Sequence, residues 1–238
     1  MGKKAIGILG GMGPQASAYM YKLLIDMSKN EFGAKNNNDY PEVILYSVPI
    51  PDFISSFEKK VEALKILKQK IKKLNNLNIS CLSIACNTVH LLIPSLQEIS
   101  KAPFVSIVLE VANEVKIRRL KRVGLMGSIS LIQYGLYQRV LKKLKIDTVL
   151  PSAVELKRLE SITRNVIAGK ILTKDRETLI TIAGALGKRG AEGIILGCTE
   201  LPLVFPQKFK MPTFNSVEIL SRALLRKYYK FNTIRKKL

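Results

Sequence analysis

Seven short apolar, β-rich runs punctuate this chain: Ala5–Leu9, Val43–Val48, Cys81–Ala85, Phe104–Val108, Val123–Met126, Thr148–Leu150 and Gly193–Leu196. Between most of them lie longer stretches with apolar residues three or four apart, as in Val61, Leu64, Leu67, Ile71 and Leu74. Continuous apolar runs alternating with helical periodicity mean parallel strands covered by helices on both faces. The second half also echoes the first. Ala5–Gly11 resembles Arg122–Ser128, and the strand before Cys86 resembles the strand before Cys198, at offsets of about 112 to 117 residues. The expected fold is therefore α/β: two pseudo-symmetric, Rossmann-like parallel-sheet halves with the active site in the cleft between them. The halves are expected at 1–115, with the C-terminal segment 213–238 returning to pack there, and at 116–212. Lys101–Pro103 and Lys116–Arg122 are the candidate crossovers.

The chain has 238 residues, 47% of them hydrophobic, with a mean hydropathy of +0.12, so it can bury a sizeable core. Its formal charge is +21, which raises nucleic-acid binding as a function class. The distribution argues against that class. Lysines and arginines are spread over Glu58–Lys73, Lys116–Arg122, Arg139–Lys145 and Arg222–Lys237, interleaved with Leu and Ile at helical spacing, the pattern of solvated helix faces. No specific nucleic-acid partner is expected. The apolar run near Met1 is too short and glycine-rich for a leader, Ile6 stands where an acylation signal needs Ser or Thr, and no window approaches a membrane span. A cytoplasmic location follows as an expectation.

Three cysteines and one histidine form neither a disulfide framework nor a zinc-ligand spacing, so no metal is expected. Gly10-Gly11-Met12-Gly13-Pro14-Gln15-Ala16 follows the first strand and opens a helix. Read as Gly11-x-Gly13-x-x-Ala16 it matches the dinucleotide fingerprint, but the second strand runs into Pro49-Ile50-Pro51 and not into an acidic residue. A dinucleotide-binding protein stays as a rival reading. The preferred one is a helix start whose N–H groups can hold a small carboxylate.

Cys86 and Cys198 each follow a strand and precede a helix start, where the helix dipole and free N–H groups favour the thiolate and should lower its pKa. Cys81 lies an odd number of residues from Cys86, faces the other side of the strand and reads as a core residue. One cysteine in an apolar run is ordinarily a modest hydrophobe; two at equivalent places in two related halves are a signal. One thiolate can remove a proton from a carbon beside a carboxylate while the other thiol delivers one to the opposite face.

Gly7–Ser17 (G-I-L-G-G-M-G-P-Q-A-S), Ala85–His90 (A-C-N-T-V-H) and Leu196–Leu201 (L-G-C-T-E-L), with V-G-L-M-G-S and G-L-Y-Q between them, resemble the aspartate/glutamate racemase family, in particular its aspartate racemase branch. The resemblance runs from about Lys4 to about Leu220. It implies a cofactor-independent amino-acid racemase, needing neither pyridoxal phosphate nor metal, with Cys86 and Cys198 as the catalytic pair. Aspartate or a related acidic amino acid is the implied substrate, and a homodimer is compatible with it. Gly11, Met12, Asn87, Thr88, Val89, Ser128, Thr199 and Glu200 are the implied substrate-binding residues, with Asn87, Thr88 and Thr199 as carboxylate donors. A broad-specificity amino-acid racemase, a hydantoin racemase and a maleate isomerase share the two-cysteine pattern and remain alternatives. The chain departs from the branch where substrate is chosen. Phe53 stands where many members carry an arginine after Ile-Pro-Asp, Leu131 where a threonine is expected, Ile167 where some carry a lysine, and Asn215 where an aspartate is common. His90 is read either as tuning the Cys86 thiol or as a helix histidine satisfied by a carbonyl, and Glu200 as polarising a neighbour of Cys198 or as capping a helix.

Overall fold

The computed structural model describes residues 4–56 and 58–235, with the backbone alone over 231–235. Residues 1–3, the first of the stretch on which the leader and acylation readings rest, and 236–238, at the end of the basic C-terminal segment, lie outside the described residues.

In chain order the elements are β1 (Ala5–Gly10), α1 (Pro14–Phe32), β2 (Val43–Ser47), α2 (Lys60–Leu74), β3 (Ile79–Ile84), α3 (Ile93–Gln97), α4 (Ile107–Ile117), β4 (Arg122–Met126), α5 (Ile129–Gln133), α6 (Leu136–Lys143), β5 (Asp147–Val149), α7 (Ala153–Ile167), α8 (Thr173–Lys188), β6 (Gly193–Leu196), β7 (Thr213–Asn215) and α9 (Ser216–Arg235). Two wholly parallel sheets result, ordered β2-β1-β3 and β5-β4-β6-β7. β1 pairs with both neighbours, Ile6 lying opposite Val43 and Cys81, as β4 does with Val123 opposite Thr148 and Gly193. The two α/β halves expected from the repeat are present.

The run Phe104–Val108 is not a strand. Phe104 makes one parallel bridge to Leu82, and the chain turns at once into α4 because the Ser106 side chain accepts a hydrogen bond from the Leu109 N–H as its N-cap. What is a full fourth strand in the second sheet, β7, is thus a single bridge in the first.

Period-two alternation assigns the strand residues to separate cores. Ile6, Ile8 and Cys81 join Val123, Leu125 and Ile195 of the second sheet around α1, α4, α6 and α9. Leu9, Leu82 and Ile84 turn the other way onto α2 and α3, while Met126, Ile194 and Leu196 turn onto α7 and α8. The sheets therefore share a helical layer, and α9 lies against α1, α4 and β3 after β7 has completed the second sheet. On α2, Ala63, Leu67, Ile71 and Leu74 are buried while the lysines between them stay at the surface. Among the described residues no helix is long and apolar enough to cross a membrane.

Local signals begin and turn the elements. Pro14 occupies the first turn of α1, where its missing N–H costs nothing. Ser152 and Glu155 form a reciprocal capping box at α7. Gly11 has φ +89, and a Cβ there would sit 2.5 Å from the Val48 nitrogen, so only glycine lets the first strand turn this tightly.

The shared layer also carries a buried polar strut. The Tyr137 hydroxyl donates to Asn87 Oδ1 at 2.6 Å, and Asn87 Nδ2 donates to Ser216 Oγ at 3.1 Å, which joins α6, the turn after β3 and α9. Tyr137→Phe leaves that amide oxygen buried without its donor, which costs about 1–3 kcal/mol. Chemical denaturation of the variant should show a lower midpoint at unchanged slope; an unchanged midpoint would show that the strut carries no stability.

Candidate active site

The carboxyl ends of β1, β2 and β3 face those of β4 and β6 across a cleft of about 170 Å³. Ligands sit at such ends in open α/β sheets. Cys86 lies two residues beyond β3 and Cys198 two beyond β6, each followed by a short 3₁₀ turn, Thr88–Leu92 and Leu201–Leu203. The repeated strand register thus carries both thiols to one cavity. Gly11, Met12, Asn87, Thr88, Val89, Ser128, Thr199 and Glu200 line it with them.

Of the four departures from the branch pattern, Phe53 and Ile167 line the cleft. Leu131 is wholly buried beneath it. Asn215 is engaged elsewhere: its amide nitrogen donates to the Tyr19 hydroxyl and its oxygen accepts the Val217 and Glu218 N–H groups at the start of α9.

Hydrogen bonds stitch the rim across the two halves. Thr88 Oγ1 and Ser128 Oγ are 2.9 Å apart, the Ser130 N–H donates to the Ile54 carbonyl, and Gln15 Nε2 donates to the Ile167 carbonyl at 2.8 Å. Ser128 Oγ also accepts the Leu131 N–H. Whichever way the Thr88–Ser128 bond runs, one of the two hydroxyl protons is left for a ligand. Asn87 has its oxygen and one N–H committed within the fold, which leaves its second N–H. Thr199 is different from the expected carboxylate donor, because its hydroxyl donates to Glu200 Oε2 at 2.9 Å.

The glycine loop is filled from within. The Gly13 N–H donates to Glu200 Oε1 at 3.0 Å and the Gly11 N–H to Ser17 Oγ at 2.9 Å. The helix start does hold a small carboxylate, and that carboxylate is the chain's own. Donors committed in this way offer no cradle to a pyrophosphate, and the dinucleotide reading loses its structural basis.

The thiols depart from the sequence expectation in direction. Cys86 is pushed up to about 12, first by burial and then by the Glu200 carboxylate; the N–H groups of Val89 and Thr88 at the turn pull the other way but are outweighed. Cys198 is raised well above the ordinary thiol range, by burial, by the Glu200 charge and by donating its S–H to Glu200 Oε2 at 3.0 Å. The local turn favours the thiolate, as the sequence implies, but loss of water around the sulfur costs more. Cys81 is a core residue, packed between the sheets. His90 is buried, its Nδ1–H donates to the Cys86 carbonyl at 2.8 Å, and it is held down to about 4 by burial, so it is neutral and tied to backbone.

Sequence reasoning missed Thr163, whose Oγ1 donates to the Leu159 carbonyl and lies 3.6 Å from Cys198 Sγ. A lone threonine on the buried stripe Leu159, Ile162 and Val166 of α7 was the available signal. It also missed Asp52, which lines the cleft and faces Arg164 at 3.6 Å. Among the described lining residues there is no lysine, arginine or histidine, and among the described residues no group of three or more His, Cys, Asp or Glu is placed to hold a metal ion.

Known proteins share this arrangement of elements. An aspartate racemase homologue from Pyrococcus horikoshii is 32% identical and superimposes with a TM-score of 0.79 over 94% of this chain and 99% of that one. Picrophilus torridus aspartate racemase is 26% identical, with a TM-score of 0.81 over 94% of each chain. In sequence, the broad-specificity amino-acid racemase RacX of Bacillus subtilis is 31% identical over 137 residues, covering 58% of this chain and 60% of that protein. The match covers 60% of the length of RacX and 48 and 50% of two glutamate racemases, from Enterococcus faecalis and Sulfurihydrogenibium. The profile of Asp/Glu/hydantoin racemases matches residues 9–224, with both cysteine turns and the glycine loop inside it. The chain belongs to the Asp/Glu/hydantoin racemase family.

Proposed function

We infer that the protein racemises amino acids through Cys86 and Cys198 without a cofactor. The observation that carries this reading is the placement of two thiols, from equivalent strand ends of the two halves, in one small cleft. One cysteine as thiolate removes the α-proton; the electron pair left on carbon spreads into the carboxylate; the other cysteine as thiol returns a proton on the opposite face. The reverse reaction exchanges the roles. The substrate carboxylate is met by the free hydroxyl proton of the Thr88–Ser128 pair and the spare N–H of Asn87.

Charge supports an amino acid over the other two-cysteine substrates. Among the described residues, the cleft lining holds the carboxylates of Asp52 and Glu200 and no basic side chain. The α-ammonium group of an amino acid supplies the missing cation, and near a thiol it also favours the thiolate. Maleate brings two more negative charges and no cation, and a hydantoin brings no ammonium. The same inventory weakens selection for an acidic side chain. An apolar ring at Phe53 imposes little penalty on an uncharged analogue, whereas a guanidinium left unpaired would reject one strongly. The likeness to a broad-specificity racemase points the same way. The reading is an amino-acid racemase with weak discrimination at the side chain.

Chiral analysis of products across acidic, neutral and basic amino acids, with maleate and hydantoins alongside, tests both parts. Racemisation of amino acids alone is expected, and Cys86→Ala and Cys198→Ala should each lower it by at least about a thousandfold, in keeping with the 10²–10⁴ that a general acid or base contributes. An active double variant would end the reading. Phe53→Arg should raise the ratio of kcat/KM for aspartate over that for an uncharged amino acid. A wild type that already prefers aspartate by several orders of magnitude, with no gain from Phe53→Arg, would overturn the specificity argument.

A further inference from the structure

Among the described residues, Glu200 is the one acidic side chain buried beside a cleft thiol. It is 4% exposed, and all three of its close contacts are donors: the Gly13 N–H to Oε1 at 3.0 Å, and the Cys198 S–H and the Thr199 O–H to Oε2 at 3.0 and 2.9 Å. Three donors converging on two oxygens are the environment of an ionised carboxylate. An ionised carboxylate touching Cys198 opposes a second negative charge on that sulfur, and the S–H···O bond is lost if the proton leaves. Cys86 shares the repulsion at longer range but has no such bond, and two turn N–H groups point at its sulfur.

We propose that Glu200 is a positioning residue that fixes the resting division of labour between the thiols, holding Cys198 as the protonated acid and leaving Cys86 as the group that ionises to become the base. The proposal rests on the two-thiol racemase reading for its meaning in catalysis. In the resting enzyme Cys86 loses its proton to solvent as an amino acid's ammonium group enters. Its thiolate then takes the α-proton as the C–H bond breaks, and the Cys198 S–H gives its proton to the opposite face of the carbanion. Cys86 ends as thiol and Cys198 as thiolate against the Glu200 carboxylate. That repulsion draws a proton back to Cys198, and Cys86 releases one, which restores the resting form. Because racemisation has an equilibrium constant of one, kcat/KM is equal in the two directions, and the bias appears as kcat and KM rising or falling together between enantiomers.

The groups that could compete with Glu200 are few. On the elements around the pair these are Cys86 after β3, His90 on the turn that follows it, held neutral and bonded to the Cys86 carbonyl, Asp52 in the loop after β2, and, on α7, Glu160 and Arg164, with Glu155, Lys157 and Arg158 further toward its start. Arg164 is engaged with Glu160, Asp52 and Ser55 at the exposed rim and leaves no cation facing Cys198. A glutamine at 200 can keep its oxygen on the Gly13 N–H while turning a donating NH₂ toward Cys198, so the sign of the local field at the sulfur reverses.

Iodoacetamide labelling of the ligand-free protein between pH 6 and 10, with each cysteine followed by peptide mass spectrometry, tests this without any turnover. Failure here leaves the racemase reading standing, and absence of racemisation leaves this result standing. In the wild type the Cys86 rate should rise at lower pH than the Cys198 rate. Glu200→Gln should shift the Cys198 profile down by at least one pH unit, about a tenfold faster reaction at fixed pH, and should shift Cys86 less. Labelling of buried Cys81 reports any unfolding of the variant. The racemisation pH profile should move in the same direction in Glu200→Gln, which loss of a merely structural strut would not cause. Ionisation of Cys198 before Cys86 in the wild type overturns the proposal, and so does a Glu200→Gln protein with Cys81 still protected and the Cys198 profile unmoved.

Discussion

The cleft depends on one buried carboxylate bonded from both sides. Glu200 leaves the second sheet's β6 turn, accepts the N–H of Gly13 at the start of α1 in the first half, and touches the thiol two residues before it. A buried charge is tolerated only when its oxygens are satisfied, so the glycine loop, the Cys198 turn and the relative placement of the two halves are specified together. Removing the Glu200 side chain would free the Gly13 N–H and the Thr199 hydroxyl at once. The donors that a nucleotide or a substrate phosphate would need are thereby already used, and the cavity that remains is small and flanked by sulfur.

A strongly basic chain surrounds a cleft with acidic lining. The sequence has 39 lysines and arginines; among the described residues none of them enters the lining, while the carboxylates of Asp52 and Glu200 do. Distant surface cations are screened over about 8–10 Å in salt, so the contacts inside the cavity govern thiol chemistry. On the proposed reading this lets the substrate's own ammonium group complete the charge balance, and it ties formation of the reactive thiolate to occupancy of the site.

Much of this was legible in the sequence because it is written in periodicity and repetition. The strand runs ending at Leu9, Ala85, Met126 and Leu196 and the matched positions of Cys86 and Cys198 come from local patterns, and local patterns are what a single chain displays. What was not legible depends on partners far apart in the chain. The helix-start argument predicts lowered thiol pKa values, yet the desolvation that outweighs it comes from the closure of two halves. Glu200 looks like a capping residue beside Leu201, while its decisive partner, Gly13, lies in the opposite half. Asp52 and Thr163 give no motif, because each earns its place only when α7 folds against the loop after β2. Phe104–Val108 has strand composition, and a single serine cap turns it into a helix start.

The central claim is that two separate monoprotic groups face opposite sides of the reacting carbon. The direct measurement is racemisation of one pure enantiomer in deuterium oxide, stopped at low conversion, with both enantiomers separated and weighed for isotope. Two thiols predict solvent deuterium in the product enantiomer at the first turnover while the recovered starting enantiomer keeps its protium, from whichever enantiomer the reaction starts. Equal deuterium in both enantiomers at low conversion would mean one group serving both faces, and would contradict the account.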